Sequence, residues 1–157
     1  LLTTIRQPDD LTFRGKMMLG SLHAGLAFSN ASLGAVHAMA HSLGGFLDFP
    51  HGEANAILLE HVMAFNFDIA IERYMRIGQA MGLTLRDRPP DAAKGILLAA
   101  VTQLRQEAGI TQTLGDMGLQ RDDIPILASK AMHDACIVTN PRRPTQRDVE
   151  VLYEAAL

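Results

Sequence analysis

"ASLGAVHAMAHSLGGFLDFPHGEANAILLEHVMA", residues 31–64, decides the fold class. Its residues are mostly small or apolar with no strict alternation, which argues helix over strand. The first half predicts a helix from about Ala31 to Leu43, closed at Gly44-Gly45, where glycine can take the left-handed conformation that ends a helix. Pro50-His51-Gly52 is then a turn. The second half, rich in Ala, Leu and Met, predicts a helix from about Glu53 to Ala64.

The same signal extends in both directions. Asp9 or Asp10 can cap a helix whose apolar positions Leu11, Met18, Leu22 and Leu26 form a stripe expected to face the core, with Ser29-Asn30 ending or bending it. Downstream, a helix is expected from about Asp68 to Met81, ending at Gly82. Arg86–Pro90 is a polar connector, and Asp91 caps a helix to about Glu107–Gly109. Thr113–Asp116 and Gly118 are loop-like, Arg121-Asp122-Asp123 opens a short helix ending near Asp134, and Asn140–Pro144 is an irregular turn. Thr145 starts the last helix, with Asp148 three residues on as its capping-box partner. β-branched residues are sparse and aromatics make up only 5%, so no strand is expected. The fold class is all-α, with residues 1–157 as one domain.

Composition narrows the function. The chain has 157 residues, 48% apolar and 20% charged, with a net charge of -3, a balance that folds and carries no basic stripe for nucleic acid. No apolar run approaches the roughly 20 residues of a membrane span. The single cysteine, Cys136, forms no internal disulfide and fits a cytoplasmic protein. The chain begins Leu-Leu-Thr-Thr, with neither an initiator methionine nor a signal-peptide pattern, and is expected to be a piece of something longer.

The chemistry sits in residues 37–51. His37 and His41 are spaced i and i+4, so their imidazoles share one helix face. The Gly-Gly break and Pro turn can bring His51 back to the same face, giving three nitrogens of the type that suits Zn, Fe, Ni or Cu. A pair of hydrogen-bonded core histidines is the competing reading of His37 and His41. Peptide hydrolysis is disfavoured, because a zincin helix needs Glu immediately after its first histidine and here stands Ala38. Cys136 with His133 three residues before it suggests a thiolate pair, weighed against a buried structural cysteine. His23 and His61 are expected to be packed or surface residues. There is no nucleophile elbow, Walker loop or dinucleotide fingerprint.

The run "AGLAFSNASLGAVHAMAHSLGGFLDFPHGEANAILLEHVMAFN", residues 24–66, closely resembles the signature region of the iron-containing (group III) alcohol dehydrogenases. The likeness continues through "RYMRIGQAMG", residues 73–82, and "DDIPILASKAMHDACIVTNPRRPTQRDVEVLYEAAL", residues 122–157. Glu60 departs from it, standing where the family usually has proline. The resemblance implies the dehydroquinate synthase-like helical C-terminal domain, which in the family follows an N-terminal nucleotide-binding domain across a metal-containing cleft. It implies that His37 and His51 are metal ligands, that His41 lies near the nicotinamide and substrate and relays the proton, and that Phe28 and Cys136 line the substrate pocket. The reaction implied is metal-assisted hydride transfer between a small alcohol or aldehyde and NAD(P), with Fe2+ or Zn2+ polarising the substrate oxygen.

The family's remaining ligands are an aspartate and a histidine four residues later. Upstream of His37 no Asp-x3-His occurs: Asp9 and Asp10 are followed at that spacing by Phe13 and Arg14. Half of the ligand set and the nucleotide-binding domain are therefore expected to lie outside this chain, which by itself should hold metal weakly or not at all. The chain is either a piece of a longer dehydrogenase or a natural short form. The parent is expected to be a homo-oligomer. A rival reading is a non-catalytic helical module that self-associates through exposed apolar faces, its histidines being relics.

Overall fold

The computed structural model describes residues 1–157 and contains helices without strands. In chain order these are α1 (Leu2–Arg6), α2 (Leu11–Ala31), α3 (Ala35–Leu47), α4 (His51–Asn66), α5 (Ile71–Ala80), α6 (Pro90–Glu107), α7 (Ile124–Met132) and α8 (Gln146–Ala155). Single 3-10 turns lie at Phe67–Ile69, Arg121–Asp123 and Ala135–Thr139. None of the helices is long and apolar enough to cross a membrane.

Helix α3 is the axis of the main core. Ala35, Ala38, Met39, Ala40 and Leu43 are fully buried, which is how a helix apolar on most faces behaves when surrounded. Its alanines let α4 pack on one side and α7 on another, and α8 closes the layer behind α7. The buried Tyr153 of α8 donates its hydroxyl to the Met39 carbonyl at 2.8 Å. A smaller core of Met63, Phe67, Leu85, Ala93, Leu97 and Val101 joins α4 to α6. Glu60 stands at this second seam: its carboxylate receives hydrogen bonds from Arg105 and Thr102 of α6, a helix-to-helix tie that proline cannot make.

The start of α3 is fixed from the far end of the chain. Its N-cap, Gly34, has no side chain to satisfy the first N–H groups, and Asn140 Oδ1 accepts from Ala35 N at 3.1 Å. The same Oδ1 accepts from Asn66 Nδ2 at 3.0 Å, while Asn140 Nδ2 donates to Asn66 Oδ1 at 2.8 Å and to the Arg142 carbonyl at 2.6 Å. Asn140 and Asn66 are both buried. A Cβ at residue 34 would lie 3.0 Å from Asn140 Oδ1, a tight contact that favours glycine there.

Several boundaries differ from the sequence expectation. Helix α3 passes through Gly44-Gly45 and ends at Asp48, whose φ of 56° and ψ of 33° are left-handed. Two helical glycines cost about 1 kcal/mol each, offset here by contacts that only the longer helix makes: Leu47 packs on the core and Phe46 lies under the Lys130 ammonium. His51 is the first residue of α4 rather than part of a turn. Helix α5 starts at Ile71, since Phe67–Ile69 form a 3-10 turn and Ala70 leaves helical geometry. Pro90 opens α6 ahead of Asp91, its missing N–H being one the first turn leaves unbonded anyway. Helix α2 runs past Ser29-Asn30 and breaks at Ser32, where φ is 62°. The capping box at Thr145 and Asp148 forms as expected.

The larger correction concerns which way α2 faces. It has no buried residue, and Leu11, Met18, Leu22 and Leu26 are 82%, 74%, 57% and 56% exposed. The period is helical, but within residues 1–157 its main neighbour is the short α1. A repeating apolar stripe reports a face that wants cover and not where the cover comes from.

Replacing Asn140 by alanine strands the Ala35 N–H and the Asn66 amide in the interior. The expected loss is about 3 kcal/mol of unfolding free energy in urea, with Asn140→Asp losing less because it keeps the acceptor.

Candidate metal centre

His37 lies in the first turn of α3, His41 one turn further on the same face, and His51 at the start of α4. The left-handed Asp48 and the buried Phe49 turn the chain so that His51 returns to that face. The ring centroids are 6.1 Å apart for His37 and His41, 5.2 Å for His37 and His51, and 5.1 Å for His41 and His51. One ring nitrogen from each lies within 4.8 Å of the others. The return of His51 expected from the sequence is present.

The three imidazoles sit in different surroundings. His37 Nδ1 is buried without a hydrogen-bond partner. Burial, then the His51 and His41 rings, hold its pKa below the ordinary imidazole value, with Asp134 opposing, so the ring is neutral and its lone pair available. His51 Nε2 receives Asn55 Nδ2 at 2.9 Å, and Asn55 also donates to the His51 carbonyl at 2.8 Å. His41 Nδ1 meets Asp134 Oδ2 at 2.8 Å. The other oxygen of Asp134 accepts the Cys136 N–H at 2.8 Å, capping the 3-10 turn Ala135–Thr139. Desolvation would raise the Asp134 pKa; the hydrogen bonds from the Cys136 N–H, His41 and the Cys136 side chain overcome it and hold the carboxyl below its usual range.

Cys136 is half-buried, and its sulfur, a ring nitrogen of His41 and an Asp134 oxygen lie within 4.8 Å of one another. Burial, then Asp134, push its thiol pKa up, so it is a protonated thiol and not an activated nucleophile. The alternative pairing with His133 does not form: His133 Nδ1 is bonded to the Ser129 carbonyl at 2.7 Å. His23 lies on the exposed α2, and His61 contacts Glu60 on α4. A cavity of about 450 Å³ opens beside His41, between Ser42, Gly45, Ser129, Lys130, His133 and Asp134. A second, of about 530 Å³, lies beside His37 and is lined among others by Leu33, Asn55, Tyr74, Thr139 and Asn140. Phe28 is 49% exposed on α2 and lines neither cavity.

Two residues of this site escape sequence reading. Asn55 follows His51 by one helical turn, a spacing that could have singled it out. Asp134 is 93 positions from His41, and only the packing of α7 on α3 brings it there.

A model of the Fe-containing alcohol dehydrogenase family's C-terminal region matches residues 1–157. The chain belongs to this family. It is 44% identical over 141 residues to the lactaldehyde reductase of Escherichia coli (strain K12), covering 90% of this chain and 37% of that protein. It is 40% identical over 148 residues to the 1,3-propanediol dehydrogenase of Klebsiella pneumoniae, covering 94% and 38%. Among solved structures it matches a 1,3-propanediol oxidoreductase with a TM-score of 0.96 at 37% identity, and an alcohol dehydrogenase from Oenococcus oeni with 0.95 at 33%, each over 99% of this chain and 41% of the other. The chain thus spans about two fifths of the length of these relatives, which are oxidoreductases of the iron-containing family.

The donor set fits the metal this family implies. Three imidazole nitrogens suit a divalent first-row ion, and the orphaned buried Nδ1 of His37 is a polar atom that a cation or ligand would satisfy. Because the Asp134 pKa is lowered in the fold, the stability it contributes is complete above the unfolded carboxyl value of about 4 and is lost as pH falls below it. Asp134→Asn is therefore expected to destabilise the chain at pH 7, and urea melts at pH 3 should show that difference shrinking.

Proposed function

We propose that this chain supplies the metal-binding and proton-handling helices of an NAD(P)-dependent dehydrogenase that interconverts a small alcohol and its aldehyde. The observation that carries the reading is the convergence of His37 and His51 from two helices beside a third histidine, His41, that is tied to a carboxylate. Family membership agrees with it.

In this reading His37 and His51 hold a divalent ion, iron or zinc, which supplies Lewis-acid polarisation of the substrate oxygen. His37 is suited to the task because its surroundings keep it neutral; His51 offers its lone pair by giving up the hydrogen bond that Nε2 accepts from Asn55, which keeps its bond to the His51 carbonyl. His41 handles the proton. Its Nδ1 is engaged by Asp134, so Nε2 is the nitrogen left to give or take a proton at the substrate hydroxyl. Asp134 orients the ring and stabilises the imidazolium when His41 is charged. Cys136, kept as a thiol, and Phe28 line neither cavity within these residues, so their part as apolar lining belongs to the cleft that the nucleotide-binding domain completes. A nucleotide-binding domain would hold NAD(P), which would supply the hydride acceptor or donor. Two histidines are half of a four-coordinate shell, so residues 1–157 alone hold the ion weakly.

The exposed stripe of α2 favours one further reading, a helical module that self-associates through that face. Sedimentation of Leu22→Lys against the unaltered chain separates the two, since loss of a defined oligomer with metal binding unaffected belongs to that reading.

The dehydrogenase reading is tested in the protein that carries these helices together with their nucleotide-binding domain. His51→Ala is expected to lose most of its metal and its alcohol-dependent NAD(P)H formation. His41→Ala is expected to keep its metal and lose about 10²–10⁴-fold in kcat. Metal content unchanged in a His37→Ala, His51→Ala double variant would contradict the assignment.

A further inference from the structure

We propose that His41, Asp134 and Cys136 form a second cation position, fitted to zinc, which shares His41 with the three-histidine cluster and withdraws that residue from proton handling when filled. One donor atom from each of the three lies within 4.8 Å of the others. Around a tetrahedral zinc, with bonds of about 2.0–2.3 Å, neighbouring donors stand roughly 3.3–3.7 Å apart, so the three reach one ion with small adjustments of side chains. One of them is at His41 Nδ1 and Asp134 Oδ2, now hydrogen-bonded at 2.8 Å; the ion takes the place of the shared proton, which moves to Nε2 of the ring, and the pair opens by about half an ångström.

The donors come from two rigid places. His41 projects from the buried α3. Asp134 and Cys136 are two residues apart across the cap of the 3-10 turn Ala135–Thr139, where the bond from Cys136 N to Asp134 Oδ1 at 2.8 Å sets their relative position. A thiolate and a carboxylate together neutralise a divalent charge, and the thiolate favours zinc over harder ions such as magnesium or calcium. Cys136 enters as the thiolate and its proton passes to solvent. The fourth position opens to the cavity of about 450 Å³ beside His41, where water can fill it. Lys130 lines that cavity, but its ammonium sits 4.9 Å from the Phe46 ring centroid and is engaged there.

The cation position stands on this geometry alone. Its consequence for turnover rests on the dehydrogenase reading: zinc on Nδ1 replaces the Asp134 contact that orients His41, so zinc beyond the catalytic equivalent inhibits.

Cobalt(II) is the probe for the position, because thiolate coordination gives a near-ultraviolet charge-transfer band that imidazole coordination does not. Titrating cobalt chloride into the chain should produce this band. It should be lost in Cys136→Ser, weakened at least tenfold in apparent affinity in Asp134→Asn, and retained in His51→Ala, with circular dichroism confirming that each variant folds. Independently of any variant, zinc should slow alkylation of Cys136 by iodoacetamide at least tenfold, reversibly with chelator. No band at saturating cobalt, a band lost equally in His51→Ala, or alkylation indifferent to zinc would each overturn the proposal. A charge-transfer band without inhibition by excess zinc in the complete dehydrogenase would leave the cation position standing and count against the role given to His41.

Discussion

The side chain of Asn140 is the contact on which the arrangement of the site depends. It caps the first N–H of α3, pairs reciprocally with Asn66 at the end of α4, and holds its own loop through the Arg142 carbonyl. Those are the helices that carry the histidines and the segment that follows Asp134 and Cys136. A buried amide with every group bonded fixes relative positions far more sharply than apolar packing, because each broken bond strands a polar atom in the interior. Apolar contacts along α3, α4, α7 and α8 supply the driving force; Asn140 sets the register in which they meet.

From that register three chemically identical side chains acquire different characters. His37 is half-buried, with an unsatisfied nitrogen and a depressed pKa. His51 sits at a helix start with an amide donor one turn away. His41 is the histidine engaged with a carboxylate, and that carboxylate is itself pinned by a backbone N–H. A pair of convergent imidazoles and a third imidazole backed by a carboxylate are the parts that metal-assisted proton and hydride chemistry uses. The same carboxylate also brings a thiol within reach of His41, so the group that tunes the proton carrier can help a thiophilic ion to capture it.

Much of this was legible in the sequence. The i, i+4 spacing of His37 and His41 and the return of His51 are local, set by helix pitch and one short turn, and the capping box at Thr145 and Asp148 is more local still. The likeness of residues 24–66 to iron-containing alcohol dehydrogenases assigned the family correctly. What stayed hidden depends on tertiary context. Gly44-Gly45 looks like a helix stop, and packing of Phe46 and Leu47 carries the helix through it. Asp134 has no neighbouring motif to mark it, and Asn140 looks like part of an irregular Asn-Pro turn. The stripe on α2 was correct in period and wrong in direction, since nothing in Leu11, Met18, Leu22 or Leu26 says whether their cover lies within these 157 residues. These residues correspond to about two fifths of the relatives' length, so the account of the complete site turns on what α3 and α4 contribute to it.

The most direct test is an anomalous-difference map at the iron edge from crystals of the complete protein loaded with one equivalent of ferrous iron. The account predicts a single peak at coordinating distance from a nitrogen of both His37 and His51, with His41 uncoordinated and still bonded to Asp134. A peak coordinated by His41 in place of either, or one remote from all three histidines, would contradict it.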